Sequence, residues 1–206
     1  MIRRLAALTL LSGLLAVQGA HPPVAEGDLI ARNRGGPWSH YFANVSPTDK
    51  RFSHVGLVVL EDGIAWVIHS KGDDANGEGH VHRETLVDFV ADTDVWAHFR
   101  CELPEVQRLA LARQVRVFLK RRVPFDAAFD HTEAHRLYCT ELIWRAAMEA
   151  IDLDLCPRKT PLGPHTVLSI QDLTDTPYFT EVPGRGAVET APGPALPLSV
   201  GPPESP

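Results

Sequence analysis

Apolar and polar positions follow regular periods mainly between Gly27 and Val182. "GDLIAR" (27–32) predicts a short first strand. "FSHVGLVVLEDGIAWVIHS" (52–70) holds two β-rich runs around Asp62-Gly63, a hairpin signal because a type I′ turn needs positive φ at both central residues. With those two residues as the loop, Glu61 faces Ile64 and Gly56 faces His69. Strand side chains alternate, so His54 and His69 then share a face as diagonal neighbours. A three-residue loop would put them on opposite faces.

Further along, a Gly-rich loop (72–79) precedes "RETLVDFV", which suggests a short helix, and "DVWAHFRCE" alternates as a strand should. Pro104 opens a helix to about Arg122 with Leu111, Val115 and Phe118 on one stripe, and Pro124 stops it. A second helix after Cys139 carries Leu142, Ile143, Ala146 and Ala147 toward the core and leaves Glu141 and Arg145 outside. "TVLSIQDL" and "YFTEV" read as a last strand and a terminal ordered piece. Gly35 to Lys50, with Pro37, Pro47, Trp38, Tyr41 and Phe42, reads as a long loop, either a functional cover or an excursion packed by its own aromatics. The order of strands, helix, helix and strand predicts an α+β fold with an antiparallel sheet.

The two ends differ from this middle. "MIRRLAALTLLSGLLAVQGA" (1–20) has two arginines before a short apolar run that ends in small residues, the pattern of a secretory signal peptide. No later stretch approaches the roughly 18 apolar residues of a membrane span, so no stable span is expected after cleavage. Residues 184–206 are dense in Pro and Gly without periodicity and read as a disordered tail. Between them, residues 24–183 suffice for one domain with its own core. The expected location is exported, periplasmic or secreted. A formal charge of -6 gives no basic field for nucleic acid. The cluster Lys120, Arg121 and Arg122 suits a helix C-terminus. In an oxidising compartment Cys101 and Cys156 could pair and leave Cys139 free; spacing does not fix the connectivity.

Ten histidines invite a metal reading. "HTEAH" sets His131 and His135 four apart, but Glu133 sits midway and meets neither zinc-protease pattern. "GHVHRE" offers His80 and His82 in a Gly-rich loop, with no third ligand near in sequence. A serine nucleophile lacks a G-x-S-x-G elbow, and Ser53 beside His54 does not sit on a strand-to-helix turn. Cysteine chemistry fits better. In "RLYCTELIWRAAMEAI" (136–151) Cys139 stands at the start of an amphipathic helix, where the dipole and unpaired N–H groups favour a thiolate. A small apolar Cys filling buried space is the structural alternative. A hairpin bearing His54 and His69 could supply a base and the group that orients it.

These residues carry a resemblance. "GDLI", "FSHVGLV", "WVIHS" and "LYCTELIW" resemble the NlpC-type papain-like cysteine hydrolases in circularly permuted order, the group of YiiX-like and YebB-like proteins. The likeness runs from about Gly27 to Val182 and includes "PFD" (124–126) and the late "LSIQDL". It implies a papain-like α+β fold whose antiparallel sheet packs against the nucleophile's helix. It makes Cys139 the nucleophile, His54 the general base and His69 the third, orienting residue, with no metal and no cofactor. Several permuted members carry an acidic third residue where this chain has His69; a His is familiar in the non-permuted relatives. The implied activity is hydrolysis of a peptide, cell-wall peptide or acyl-amide bond through a thioester. Acyl transfer or lipid amidase chemistry on the same residues, and a non-catalytic cell-wall or lipid binding module, are the alternatives.

Overall fold

At Asp62 and Gly63 the backbone takes φ of +52° and +78° in the computed structural model, as a type I′ turn requires. The turn joins β2 (His54–Glu61) to β3 (Ile64–Gly72), with Glu61 opposite Ile64 and Leu57 opposite Ile68. The two-residue loop and its register are therefore those expected. Residues 23–34, 37–72, 78–93 and 95–183 are described. The expected leader (1–20) and tail (184–206) lie outside them.

Around this hairpin stand β1 (Leu29–Asn33), β4 (Gly79–Thr85), β5 (Val95–Cys101) and β8 (Phe179–Glu181). Together they form one antiparallel sheet in the order β4-β3-β2-β1-β5-β8. The fold is α+β. Alternation gives the sheet two apolar faces. Leu29, Ala31, Leu57, Val59, Ile68 and Phe99 pack with α3 (Glu105–Arg121) and α4 (Cys139–Ile151), through Leu111, Val115, Leu142, Ile143 and Ala146. Each large side chain buried there contributes roughly 1.5–3 kcal/mol. Ile30, Val58 and Val67 face the other way, against Phe89 and Val90 of the short α2 (Leu86–Val90). No helix among the described residues is long and apolar enough to cross a membrane.

Several elements differ from expectation. The segment expected as a loop contains α1 (Pro37–Val45), which Pro37 opens at the helix's first position, where proline is tolerated. "GHVHRET" is not loop and helix start but the strand β4, pairing His82 with His69. "TVLSIQDL" divides: His165–Val167 is β7, in a small hairpin with β6 (Thr160–Leu162), and Ile170–Thr174 is α5. Ser169 caps that helix by accepting from the Asp172 N–H, which ends the strand. Glu141, expected outside, is fully buried, and all three cysteines are free thiols. The outer edge of β4 is covered by the segment that follows α3. Val81 donates its N–H to the Val123 carbonyl at 2.8 Å, and Phe125 donates to Gly79 at 2.9 Å.

Candidate active site

Cys139 is the first residue of α4, after Tyr138 in extended conformation. Three contacts fix that helix start. Ser70 of β3 donates its hydroxyl to the Leu137 carbonyl at 2.6 Å, and Thr140 donates to Leu168 at 2.5 Å. Leu168 in turn donates its N–H to the Tyr138 hydroxyl at 2.9 Å. Inside the helix Glu141 accepts from the Tyr138 N–H at 3.4 Å and from Arg145 at 3.3 Å, and burial pushes its carboxyl up to about 8. These bonds hold the Cys139 backbone from both sides, while its side chain stays half-buried.

α4 packs on one face of the sheet, and the two histidines lie on the other. At the start of β2 the Val55 N–H, one residue after His54, donates to the Cys139 sulfur. His54 Nε2 lies 2.8 Å from His69 Nδ1, with the rings nearly perpendicular. Phe89 lies against both imidazoles, its ring centroid 5.8 Å from that of His54 and 4.9 Å from that of His69. Gly56 makes this approach possible. A Cβ there would stand 2.4 Å from Val67 Cγ1 and 3.1 Å from His69 Cβ. The glycine is required by close approach, not by an unusual φ.

Beyond His69 the chain of polar groups continues through Glu84 and Arg32, which the sequence did not single out, and through His82, weighed there only as a metal ligand lacking a third partner. His69 Nε2 is 3.5 Å from Glu84 Oε1 on β4, too long for a formed hydrogen bond. Arg32 of β1 reaches the other carboxylate oxygen at 3.4 Å, donates to the Phe89 carbonyl, and stacks 3.8 Å above the Phe89 ring. His82 Nε2 lies 3.6 Å from Glu84 Oε1. A sequence signal did exist: His80, His82 and Glu84 recur at period two, which places them on one face of a strand.

Electrostatics give each member a definite state. The His69 ring facing it, and then Arg32, hold the Glu84 carboxyl down to about 2 against burial. Burial lowers His69 to about 4, and it sends His54 well below the usual imidazole range, with the neighbouring His69, Arg32 and Lys71 adding to the shift. Burial also raises the Cys139 thiol, opposed by the N–H groups of Val55, Thr140 and Cys139 itself. The helix start was expected to leave Cys139 with a depressed pKa; desolvation outweighs it. The resting pair is thus a thiol and a neutral imidazole. The other cysteines are buried further from chemistry, with Cys101 pushed up to about 11.

The proton positions follow in sequence. With Glu84 ionised, His69 turns an Nε2–H toward it and keeps Nδ1 as an acceptor. His54 then donates from Nε2, and its Nδ1 carries the free lone pair. Of the three residues expected to form the site, His54 and His69 are in contact. Cys139 is brought to the residue that follows His54. His131 and His135 lie on the loop before α4, and His131 packs edge-on against Trp144 of that helix.

No family model matches the chain, and no curated protein matches it. Among solved structures it is similar to YiiX of Escherichia coli O157:H7, a metalloprotein of the group DUF1105. The TM-score is 0.64 at 21% identity, covering 78% of this chain and 97% of that one. The two share a fold, the YiiX-like architecture expected from the sequence motifs.

Proposed function

We propose that this chain is an exported thiol hydrolase of amide bonds, with Cys139 as nucleophile, His54 as general base and His69 and Glu84 as positioning residues. The observation that carries the reading is the 2.8 Å contact from His54 Nε2 to His69 Nδ1, with the N–H of Val55, the residue after His54, on the sulfur of a cysteine at a helix start. It leaves His54 Nδ1 as the basic atom. The Cys139 proton passes to that nitrogen as sulfur attacks the carbonyl carbon. The first N–H groups of α4 have no intrahelical partner, and they are the donors available to the resulting oxyanion. Collapse breaks the C–N bond, and His54 gives its proton to the departing amine. Water then loses a proton to His54, adds to the thioester and releases acid and thiol. The substrate is a peptide, a cell-wall peptide or an acyl amide. Acyl transfer differs only in replacing that water by an amine or alcohol.

The test is acid-quenched intact-mass measurement during turnover of a panel of stem peptides and N-acyl amines. An acyl adduct on Cys139 in wild type, and neither adduct nor turnover in Cys139→Ala, is the expected result. Turnover that survives Cys139→Ala sinks the proposal. Adding an acceptor amine separates hydrolysis from transfer by the product formed.

A further inference from the structure

The far side of His69 poses a problem of hydrogen bonding. His69 is fully buried, and its Nε2 has no hydrogen-bond partner. An unpartnered buried polar atom is costly, on the order of 1–3 kcal/mol, so native proteins rarely leave one. Its neighbours sharpen the anomaly. His82 Nδ1 lies 3.0 Å from the His80 carbonyl, which can only accept, so that nitrogen carries the proton. His82 Nε2 is then a lone pair, aimed at a carboxylate oxygen 3.6 Å away that is also an acceptor. Two acceptors face each other with nothing donated between them.

We propose that His69, His82 and Glu84 form a binding site for a divalent first-row cation of zinc's kind, and that its occupancy withdraws His54 from its role as base. The three ligand atoms lie within 4.8 Å of one another, and the two edges onto Glu84 Oε1 are 3.5 and 3.6 Å. A tetrahedral ion with bonds of about 2.0–2.1 Å needs edges of about 3.3 Å, so the two edges onto Glu84 close by tenths of an ångström and the His69–His82 edge, within 4.8 Å, closes as the rim residue His82 turns inward. Two imidazoles and a carboxylate are a borderline donor set that suits zinc better than magnesium or calcium. The His80 carbonyl orients the His82 ring, as outer partners of metal-bound histidines commonly do. Arg32 holds Glu84 Oε2, so the carboxylate offers one oxygen. His82 and Glu84 are partly exposed, 32% and 24% at the side chain, which gives an ion its way in.

The consequence for His54 follows from counting protons. An ion on His69 Nε2 displaces the proton of that nitrogen to Nδ1. The contact to His54 then reverses: His69 Nδ1–H donates, His54 Nε2 accepts, and the proton of His54 moves to Nδ1. Each imidazole remains neutral with one proton, but the lone pair that accepts from Cys139 is gone. The second half of the proposal rests on the Cys139–His54 reading; the site itself does not.

The experiment is titration of chelator-treated protein with Co²⁺, followed by visible absorption, and then by competition with Zn²⁺. Thermal unfolding with and without Zn²⁺ is run alongside. Wild type is expected to take one ion per chain with the intense absorption of four-coordinate cobalt, and to gain melting temperature with zinc. His82→Ala and Glu84→Gln should each weaken binding by more than the roughly 10–100-fold that loss of an outer partner costs, since each removes a direct ligand, and lose the zinc shift. His82 is on the rim, so the alanine variant does not open the core. Cys139→Ala should bind as wild type. Absence of a zinc shift in wild type, unchanged binding in both ligand variants, or loss of binding in Cys139→Ala overturns the site. For the second half, the rate of Cys139 alkylation by iodoacetamide is read with and without zinc. Slowing in wild type but not in His82→Ala is expected. Equal rates in zinc-loaded and metal-free wild type overturn the link to His54 and leave the site standing. Failure of amide hydrolysis in every assay leaves the cobalt result unaffected.

Discussion

Two histidine–carboxylate pairs lie on the same face of one sheet, one fully buried and one with its carboxylate partly exposed, and they are built to opposite ends. His98 of β5 and His69 of β3 flank the central strands in one transverse row, with Ile30 paired to both His98 and Gly56. His98 Nε2 is 2.7 Å from Asp28 Oδ2, and the same carboxylate accepts the N–H groups of Cys101 at 3.0 Å and Ala25 at 2.8 Å. Arg100 stands 3.3 Å away. Burial would raise the Asp28 carboxyl, but the bonds from His98, Cys101 and Ala25 outweigh it and hold it below its usual range. Nothing is left over on that carboxylate to react. The His69–Glu84 pair is 3.5 Å apart, with one ring nitrogen spent on His54 and the other unpartnered. A carboxylate held by three short bonds fixes structure; one reached only at 3.4–3.6 Å keeps bonding capacity for a proton, a substrate or an ion.

The comparison can be broken where it predicts most. Asp28→Asn should cost about 3–5 kcal/mol, because a buried pair loses its charge and two N–H donors lose their best acceptor. Urea unfolding at neutral pH measures it. The folded pKa of Asp28 is depressed. Its contribution is therefore fully present above the unfolded value, about 3.9, and is lost as pH falls through the folded value. The gap between wild type and variant should close in acid; a gap constant down to pH 2 contradicts this.

His54→Ala should cost less, about 1–3 kcal/mol for the His69 Nδ1 it leaves without a partner, and lower kcat about 10²–10⁴-fold, the range of a lost general base. His69→Asn should retain more turnover than His69→Ala, since Asn Oδ1 can replace Nδ1 as acceptor from His54 Nε2. The His54/His69 double alanine variant should be barely worse than His54→Ala. Additive losses would show that the two rings do not act as a unit. Gly56→Ala should destabilise by about 1–3 kcal/mol, because the new methyl overpacks Val67 and His69. Chemical denaturation that finds it neutral would mean the hairpin relaxes freely there. Glu84→Gln is the mildest test: stability within about 1 kcal/mol of wild type, and kcat down about tenfold through the orientation of His69. If it unfolds the protein as Asp28→Asn does, the two pairs are not different in kind.

Much of this layout was legible in the sequence because local rules decide it. The Asp62-Gly63 turn alone sets the face shared by His54 and His69, and Pro104 and Pro124 bracket α3. What escaped was decided by distant contacts. β4 lacks a local signal strong enough to outweigh the glycines before it, and it becomes a strand by pairing along β3. Glu84 and Arg32 therefore gained no meaning until the register put them beside His69. Glu141 reads as a surface residue by helical period, yet it is buried because the chain before α4 folds over it and Arg145 accompanies it. The Cys139 thiol was expected to be acidified by its helix. The desolvation that overrides the helix is a property of the packed protein, invisible in any stretch of sequence.

One feature of the sheet bears on how the molecule behaves in crowded solution. A strand at the margin of a sheet exposes a row of unused donors and acceptors and invites strands of other molecules to add on. On the β4 side that invitation is withdrawn, since residues 123–125 occupy it through Val81 and Gly79, and Pro124 opposite His80 has no N–H to offer an incoming chain. This cover runs directly into the segment that delivers Cys139. Loosening it would expose a sticky strand and dislocate the thiol together, so self-association and loss of the site should appear as one event.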